Sequence, residues 1–447
     1  MSTLGDLTAP KVDQTGPLDD GEFVYVDISS IDNQAKRIVE PKRLPAASAP
    51  SRARQRLQQG DVLVSITRPN LNAVAIVPPD LDGAIGSTGF HVLRAKDSVE
   101  PHWLYYAVQN RDFVHSMSEL VQGALYPAVR PKDIREYSIV PPPLDDQRRI
   151  VAEIEKQFSR LDEAVANLQR VKANLKRYKA SVLKAAIEGR LVPTEAELAR
   201  REGRSYEPSE QLLQRILEAR RGQWARKGKY CEPDKPSDCL LPQVPEGWSV
   251  ATVEQLSCLV EYGSSAKTNE DSTGVPVLRM GNIVEGELVF DELKYLPSSH
   301  EEFPKLLAEP GDLLFNRTNS PELVGKTAVF KGPKGQYSFA SYLIRIRLIV
   351  GGIPEFIAAY INSRYGRQWI KSVVTQQVGQ ANVNGTKLQA LAVPLPPLAE
   401  QHRIVAEVDR RLSLAREVET EVEANLKRAQ ALSRAVLSAN FAKEKAE

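Results

Sequence analysis

Arginine and asparagine side chains recur in two short segments of the 447-residue chain, each directly after a run of apolar residues. The first segment contains Arg68 and Asn70, and the second contains Asn316, Arg317 and Asn319. Arginine can bind guanine, and asparagine can bind adenine, through paired hydrogen bonds in the major groove of DNA. The two segments therefore predict contact with base edges, and an ordinary polar turn is the alternative.

Further basic and amide side chains stand near these segments along the chain. Lysine and arginine bind phosphates and position a protein on DNA, whereas amides can also contact base edges. The candidates are Arg52 and Arg54 in a basic loop, Tyr126, Arg130 and Lys132 in a polar loop, and Gln380, Asn382, Asn384 and Lys387 in a second polar loop. Each is predicted to contact DNA, with a solvated turn as the alternative.

Motifs of enzymes that act on DNA are not found in the sequence. The double prolines lack the flanking Asn or Asp and Tyr or Phe with which amino-methylating enzymes hold their target amine. The Gly-Lys-Thr triplet at 325–327 has Ser320 where a phosphate-binding loop needs its first glycine. The Glu-x-Lys triplet at 292–294 is interpreted as solvated surface. We therefore predict a non-catalytic protein without a catalytic, cofactor or metal site of its own.

Cysteine and histidine usage also argues against a zinc site or a disulfide framework. Cys231, Cys239 and Cys258 form no paired C-x-x-C set, and the histidines are scattered singly. The net charge of +2 neither indicates nor excludes nucleic-acid binding, because the local distribution of charge determines how a protein binds phosphates. No apolar run reaches about 18 residues, and no basic segment followed by an apolar one begins the chain. The sequence therefore predicts a cytoplasmic protein without a membrane segment.

A twelve-residue segment at 142–153 recurs at 396–407, an offset of 254 residues, and nine of its twelve residues are identical. Each copy begins with paired prolines and has acidic residues in the following turn, which favours the start of a helix. The repeated residues that we assign to spacing or partner contact are Gln147, Arg149 and Ile150, with Gln401, Arg403 and Ile404 in the second copy.

Apolar or small residues continue after each copy in steps of three and four. They are Val151, Ile154, Phe158, Leu161, Val165, Leu168, Leu175, Val182 and Ala186 in the first helix, interrupted by Lys172 and Lys179. The same phase gives Val405, Val408, Leu412, Ala415, Glu419, Val422, Leu426, Ala429, Ser433, Val436 and Asn440 in the second. Two helices of about 65 Å are predicted to pair as an antiparallel coiled coil. The alternative is that each helix packs on its own domain.

The repeat extends upstream of the helices. The strand signal Gly-Asp-x-Leu occurs at Gly60 and again at Gly311, and the segment 3–7 resembles 252–256. Short β-branched runs, such as 62–66 and 343–348, alternate with helical stretches at 102–119 and 354–374. The predicted fold class is mixed α/β (α+β) with a pseudo-two-fold internal repeat, and the two copies differ mainly in their polar loops.

The doubled motif resembles the conserved regions of specificity subunits of Type I restriction-modification systems. Pro-Pro-Leu-x-x-Gln-x-Arg-Ile-Val opens a long helix at 142–151 and at 396–405. The segment at 241–248, ending in Gly247 and Trp248, resembles the entry into a target-recognition domain of that family, and the Gly-Asp-x-Leu strands also fit. The resemblance covers essentially the whole chain.

The resemblance implies a division of the chain into five parts. These are a first target-recognition domain (1–141), a central spacer helix (142–190), a connector with one helix at 209–227 (191–245), a second target-recognition domain (246–395) and a C-terminal spacer helix (396–447). Each recognition domain would read one half of a split, asymmetric target in double-stranded DNA, and the helices would set the spacing.

The resemblance also implies partners. Two methyltransferase subunits would supply S-adenosylmethionine and the chemistry, and motor-nuclease subunits would join for restriction. Two alternatives remain open from the sequence. One is a related system whose single partner chain both methylates and cuts, and the other is a coiled-coil scaffold that does not bind DNA.

Overall fold

The computed structural model describes residues 1–14, 16–17, 21–123, 125–223, 230–237, 241, 243–377 and 380–442. Contacts between residues divide the chain into two units. Unit 1 comprises Met1–Val171 and Glu421–Glu447, and unit 2 comprises Lys172–Thr420. Each unit therefore contains one α/β region and a part of each long helix.

Unit 1 consists of short strands and helices. Its strands are β1 (Ser2–Thr3), β2 (Glu22–Val26), β3 (Ile31–Asp32), β4 (Arg37–Ile38), β5 (Lys42–Pro45), β6 (Ala53–Arg56), β7 (Val62–Ser65), β8 (Val74–Ile76), β9 (Ile85–Ser87), β10 (Phe90–Leu93) and β11 (Ser138–Ile139). Its helices are α1 (Leu4–Leu7), α2 (Pro101–Ala107), α3 (Arg111–Glu119), α4 (Pro131–Arg135) and the first part of α5 (Leu144–Ile187). The strands form sheets ordered β10-β7-β8 and β5-β2-β9-β6 and the pairs β1-β11 and β3-β4.

Unit 2 has a corresponding set of elements. Its further helices are α6 (Glu195–Glu202), α7 (Ser209–Gly222), α8 (Val253–Leu256), α9 (Pro354–Asn362), α10 (Arg364–Val373), α11 (Gly385–Gln389) and the first part of α12 (Leu398–Ala442). Its strands are β12 (Ser249–Thr252), β13 (Ser257–Tyr262), β14 (Val275–Leu278), β15 (Ile283–Val284), β16 (Glu287–Leu288), β17 (Lys294–Leu296), β18 (Leu313–Asn316), β19 (Thr318–Asn319), β20 (Thr327–Val329), β21 (Ser338–Phe339), β22 (Leu343–Leu348), β23 (Thr375–Gln377), β24 (Gln380–Asn382) and β25 (Ala392–Leu395). The sheets are ordered β13-β22-β18-β20, β17-β14-β21 and β19-β24-β23, with the pairs β12-β25 and β15-β16.

The internal repeat predicted from the sequence is visible in these elements, which confirms the mixed α/β fold class. Strands β10-β7-β8 correspond to β22-β18-β20, and the pair β1-β11 corresponds to β12-β25. Helices α1 and α8 each begin with a capping box, in which Thr3 pairs with Asp6 and Thr252 pairs with Gln255. Such a box satisfies two backbone N–H groups that the first turn leaves open, so both copies begin in the same way.

The two Gly-Asp strand signals have the same structural role. The carboxylate of Asp61 accepts two hydrogen bonds of 2.8 Å from Arg94, and that of Asp312 accepts bonds of 2.7 and 2.8 Å from Arg347. Both aspartates are buried. A buried carboxylate needs such a bidentate partner because desolvation of an unpaired charge is costly. The motif therefore holds strand β7 to β10 in unit 1 and β18 to β22 in unit 2.

Helices α5 and α12 pack together as an antiparallel pair, as predicted. In unit 1, the beginning of α5 shares a hydrophobic cluster with the end of α12, through Ile154 and Val436. In unit 2, the end of α5 shares a cluster with the beginning of α12, through Val182 and Val408. Every apolar position of the predicted seam is buried or half-buried, which confirms its phase over both helices. No described helix is apolar and long enough to cross a bilayer.

Three helices differ from the sequence expectation. The stretch 102–119 is broken into α2 and α3, and 354–374 is broken into α9 and α10, where the Ser363 hydroxyl accepts hydrogen bonds from the first turn of α10. The connector contains α6 as well as α7, and the Thr194–Glu197 capping box is the signal that predicts it. Helix α7 is described to Gly222. Residues 224–227, the predicted remainder of this helix, lie outside the described residues, as do 228–229, Cys239, Pro242, Ala124, Val378, Gly379 and 443–447.

Candidate nucleic-acid interface

In unit 1, the segment after β7 runs beside the segment before α4. The amide of Val129 donates to the carbonyl oxygen of Ile66 at 2.8 Å, and the amide of Arg68 donates to that of Pro127 at 2.8 Å. Arg68 has left-handed backbone angles (φ 49°) and an exposed side chain. We call segments 66–70 and 126–130 polar edge 1. Asn70 lies on it, exposed, in the short 3-10 helix Pro69–Leu71.

In unit 2, the corresponding segments form a small sheet. Strand β24 pairs with both β19 and β23, and the amide of Val383 donates to the carbonyl oxygen of Arg317 at 2.9 Å. We call segments 317–319 and 380–384 polar edge 2. It brings together Arg317, Asn319, Gln380 and Asn382, which come from loops more than 60 residues apart in the sequence.

The two polar edges share their backbone pairing and differ in their side chains. Thr67 pairs with Ala128 in unit 1, and Thr318 pairs with Asn382 in unit 2. This register makes Arg68 the counterpart of Asn319, whereas matching the sequence segments 67–70 and 316–319 directly is off by two residues. One scaffold therefore presents two different sets of hydrogen-bonding groups.

Arg317, the basic residue of polar edge 2, is held in place by several contacts. Its guanidinium lies 4.9 Å from the centre of the Tyr262 ring, and it donates to the Asn382 side-chain oxygen at 3.3 Å and to the Ser341 carbonyl oxygen at 3.4 Å. Stacking on an aromatic ring orients a planar guanidinium and leaves it charged. Asn316, by contrast, is 0% exposed and donates to the Leu323 carbonyl oxygen at 3.5 Å. Asn316 therefore lies behind the edge.

The second segment of polar edge 1 and the helix that follows it carry exposed side chains. Tyr126 is 87% exposed. Arg130, the N-cap residue of α4, donates two side-chain hydrogen bonds of 3.1 and 2.8 Å to Asp133, and its backbone amide donates to the same carboxylate at 2.8 Å. These hydrogen bonds lower the pKa of Asp133. Lys132 is exposed and lies 3.4 Å from Glu136. Arg130 and Lys132 thus remain accessible to an anion while making local ion pairs.

Asn384, at the end of polar edge 2, and Lys387 of the following helix are more strongly tied to the fold. The Asn384 side chain accepts a hydrogen bond of 2.8 Å from the Lys387 amide and caps α11. The Lys387 ammonium donates to the Val373 carbonyl oxygen at 2.6 Å and to the Thr375 hydroxyl at 3.0 Å. Both side chains therefore support the loop that carries Gln380 and Asn382.

Arg52 and Arg54 belong to a different sheet from polar edge 1. Arg54 lies on β6, and both side chains are exposed. The Arg54 side chain donates to the Ser51 carbonyl oxygen at 3.1 Å, and the Arg52 carbonyl oxygen accepts from the Thr88 amide at 2.9 Å. These arginines can meet phosphates from the surface of unit 1, and they do not join the Arg68–Asn70 cluster.

The glutamine of the repeated motif is buried in both units. The Gln147 side chain accepts from the Glu100 amide at 2.9 Å and donates to the Pro142 carbonyl oxygen at 2.8 Å. The Gln401 side chain accepts from the Ile353 amide at 3.1 Å and donates to the Pro396 carbonyl oxygen at 2.8 Å. Glu100 and Ile353 are the N-cap residues of α2 and α9. The glutamine thus joins each long helix to the helix that follows the central sheet.

The other repeated motif residues fall into two groups. Ile404 is buried and Ile150 is half-buried, both in the hydrophobic clusters of their units. Arg149 is exposed beside Asp146 at 2.9 Å. Arg403 binds Glu195, its Nη1 lying 2.6 Å from the carboxylate. Arg149 is therefore the motif residue that remains available on the surface.

A buried polar cluster at the start of α12 was not foreseen from the sequence. The Glu400 carboxylate accepts hydrogen bonds from the Glu195 amide at 2.8 Å and from the Trp248 indole at 2.9 Å. Burial raises the pKa of Glu400, and these two hydrogen bonds together with Arg403 act in the opposite direction. The cluster fastens α6 and the Gly-Trp segment to α12. The acidic residue in the first helical turn was the available signal, and its partners lie too far along the chain to be inferred.

Replacing Gln401 by alanine is expected to lower the free energy of unfolding by about 1–3 kcal/mol, because the Ile353 amide and the Pro396 carbonyl group lose a buried partner. The measurement is urea denaturation of the variant and the wild type. Gln147→Ala tests the matched site in unit 1, and Arg149→Ala, on the exposed face of the same motif, should change stability by less than about 0.5 kcal/mol. A Gln401→Ala protein as stable as the wild type would contradict the structural role.

Comparison with known proteins finds similarity to Type I restriction specificity proteins. A family model described as the Type I restriction modification DNA specificity domain matches residues 245–428. The chain is 24% identical over 352 residues to the Type I restriction enzyme EcoKI specificity subunit of Escherichia coli, covering 78% of this chain and 67% of that protein. It is 29% identical over 166 residues to a putative type I restriction enzyme MjaX specificity subunit of Methanocaldococcus jannaschii, covering 37% of this chain and 39% of that one.

Two solved structures are similar over nearly the whole chain. One comes from work on complex assembly and conformational transition of the type I R-M system, with 25% identity, a TM-score of 0.69, and coverage of 98% of this chain and 96% of that one. The other is the HsdS subunit from Thermoanaerobacter tengcongensis, with 26% identity, a TM-score of 0.52, and coverage of 98% and 95%. The described residues contain no group of three His, Cys, Asp or Glu side chains placed to hold a metal ion.

Proposed function

The chain belongs to the family of Type I restriction-modification DNA specificity subunits, and we propose that its two α/β regions read the two halves of a split, asymmetric DNA target. The observation that carries the proposal is the pair of polar edges. They share a backbone register and present different side chains, Arg68 in one and Asn319 in the other. A duplicated scaffold with different hydrogen-bonding groups suits the reading of two different base sequences.

The regions 1–141 and 246–395 are the proposed recognition domains. In each, Arg and Asn side chains of the polar edge contact base edges, because they match the donor and acceptor pattern of guanine and adenine in the major groove. Basic side chains outside the edge, such as Arg52, Arg54 and Lys132, bind phosphates and fix the position on the duplex. Asn316, Asn384 and Lys387 act through the loops that they support.

The paired helices α5 and α12 act as the spacer between the two half-sites and as the docking surface for two methyltransferase subunits. A protein with an internal two-fold repeat offers two similar surfaces, so two identical partners can bind one chain. The partners supply S-adenosylmethionine and transfer the methyl group, and this chain contributes no catalytic residue. Motor-nuclease subunits complete the restriction complex, which acts on DNA in the cytoplasm.

The decisive experiment is co-expression with a methyltransferase subunit of the same restriction-modification system, followed by genome-wide detection of methylated adenine. The expected result is one split motif with two defined halves and a gap of fixed length. Exchange of residues 1–141 for those of a relative should change one half of the motif and leave the other half and the gap unchanged. A purified, intact complex that methylates no defined sequence would contradict the proposal and favour a scaffold without DNA specificity.

A further inference from the structure

Two charged residues face each other in the mostly apolar seam of the helix pair. Lys179 of α5 and Glu419 of α12 both occupy seam positions, and their side chains are only 19% and 23% exposed. Buried Val182 and Ala415 lie within one turn of them on their helices. A lysine in a coiled-coil seam lowers the stability of the pair and restricts the registers that it can adopt. We therefore look for a role of Lys179 other than stabilising the helix pair.

The Lys179 ammonium joins three elements of unit 2. It binds the carboxylate of Glu419, and it also donates to the carboxylate of Glu285 at 2.8 Å. Glu285 lies at the turn of the hairpin formed by β15 and β16, beside Gly286, and both residues have positive φ angles. Burial lowers the pKa of Lys179, but the two carboxylates outweigh this effect and raise it, so the ammonium stays charged.

A second ion pair supports the same contact. Arg416 of α12 lies 3.6 Å from Glu287 of strand β16. The hairpin of the second recognition domain is thus held to α5 by Lys179 and to α12 by Arg416, which lies one turn from Glu419. Lys179, Glu285 and Arg416 themselves line an open pocket of about 290 Å³, together with Leu183, Leu412 and others. Apolar packing alone therefore does not fix the hairpin on the helices.

Unit 1 has no such charges at the equivalent positions. The repeat has an offset of 254 residues. Ser433 therefore corresponds to Lys179, and Val165 corresponds to Glu419. The hairpin β3-β4 of unit 1 is held differently, since the Lys36 ammonium donates to the Asn72 carbonyl oxygen at 2.5 Å and the Lys36 carbonyl oxygen accepts from the Tyr105 hydroxyl at 2.7 Å. The ionic contact is thus a feature of one half of the repeat.

We propose that Lys179, Glu419 and Glu285 form a register lock that fixes the length of the gap between the two DNA half-sites. The proposal rests on the proposed function of the chain as a two-part DNA reader. A seam of small and apolar side chains tolerates small axial shifts, whereas a half-buried ion pair is satisfied in one alignment. Because Glu285 belongs to the recognition domain, the same lysine also sets where that domain sits along the helix pair. These residues are positioning residues and touch no base.

The test replaces the charges with apolar side chains of similar size, in the double variant Lys179→Met and Glu419→Leu. An apolar seam should be as stable as the wild type or more stable, because replacing a buried ion pair by packed apolar residues is often neutral or stabilising. Methylation of the natural target should persist. The ratio of methylation rates between the natural gap and gaps one base pair longer or shorter should fall about tenfold, within the range of coupling between contacting residues.

Two further variants make the result specific. The triple exchange Lys179→Glu, Glu285→Lys and Glu419→Lys reverses every charge and should restore the gap discrimination of the wild type. Ser433→Met, at the equivalent position of unit 1, should leave discrimination unchanged. If the double variant is poorly folded, Glu285→Gln, which leaves the seam intact, should still relax discrimination.

The outcomes separate this proposal from the proposed function. A folded double variant, or a folded Glu285→Gln variant, that rejects altered gaps as strictly as the wild type overturns the register lock. A wild-type complex that recognises no split target refutes the proposed function itself. Parallel thermal unfolding curves show whether a change in discrimination reflects loss of structure.

Discussion

Replacement of Arg317 by alanine is expected to lower the rate of methylation of the natural target about 10- to 100-fold, as the loss of about 1–3 kcal/mol for a bidentate contact predicts. The guanidinium is oriented by the Tyr262 ring and by Asn382, so its geometry is set before DNA binds. A preorganised contact loses more on truncation than a mobile surface charge. The measurement is the methylation rate of oligonucleotides in which each base of the second half-site is varied.

The selectivity of the loss distinguishes reading from general weakening. Arg317→Ala should relax discrimination at one or two positions of the second half-site and leave the first half-site unchanged. Arg68→Ala should show the opposite pattern. Arg317→Lys keeps the charge but not the planar fork, so it should lose base discrimination while retaining the salt dependence of binding. Equal loss on all sequences would show that Arg317 binds phosphate only.

The parts of the fold that could be predicted from the sequence depend on local or duplicated signals. The long helices follow from paired prolines, an acidic first turn and an apolar seam, and the helix α5 ends two residues before Gly189, which has a positive φ. The capping boxes at Thr3 and Thr252 are encoded within four residues each. Such signals need no knowledge of distant partners, and the duplication allowed one copy to support the interpretation of the other.

The candidate site was only partly predictable, because its geometry depends on contacts between distant segments. Asn316 and Arg317 are neighbours in sequence, but the pairing of β19 with β24 leaves Arg317 at the edge and turns Asn316 into the interior. The motif residues Gln147 and Gln401 looked like candidates for partner contact, yet their partners are the N-caps of α2 and α9 in the same units. A sequence pattern identifies polar side chains; tertiary pairing decides which of them face outward.

The breaks in the predicted helices have the same cause. The stretches 102–119 and 354–374 have continuous helical periodicity, but each contains a polar residue, Asn110 or Ser363, that becomes an N-cap when the following helix turns toward the core. Asparagine and serine favour such caps over helix interiors because their side chains compete for backbone groups. The sequence thus contained both a helical periodicity and a capping residue in each stretch. The packing of α3 and α10 determined that each stretch forms two helices.

Insertion of seven residues after Val171 in α5 and seven after Leu426 in α12 is expected to abolish methylation of the natural target and to create a preference for a longer gap. One additional heptad in each helix keeps the seam in phase and lengthens the helix pair by about 10 Å. This length corresponds to about three base pairs at 3.4 Å each. The two insertion points lie side by side in the helix pair. Residue numbers run in opposite directions along antiparallel helices, so a point before Lys179 in α5 lies beside a point after Glu419 in α12.

The magnitude follows from the loss of simultaneous contact with both half-sites. When geometry forbids engagement of the second site, a bivalent interaction loses a factor of about 100 or more. Selection from a library of DNA targets with randomised gap lengths should recover the natural half-sites separated by about three additional base pairs. Insertion into α5 alone serves as the control, since it misaligns the seam and should yield no preferred gap. If the doubly lengthened protein still methylated the natural target at the wild-type rate, the helices would not set the spacing.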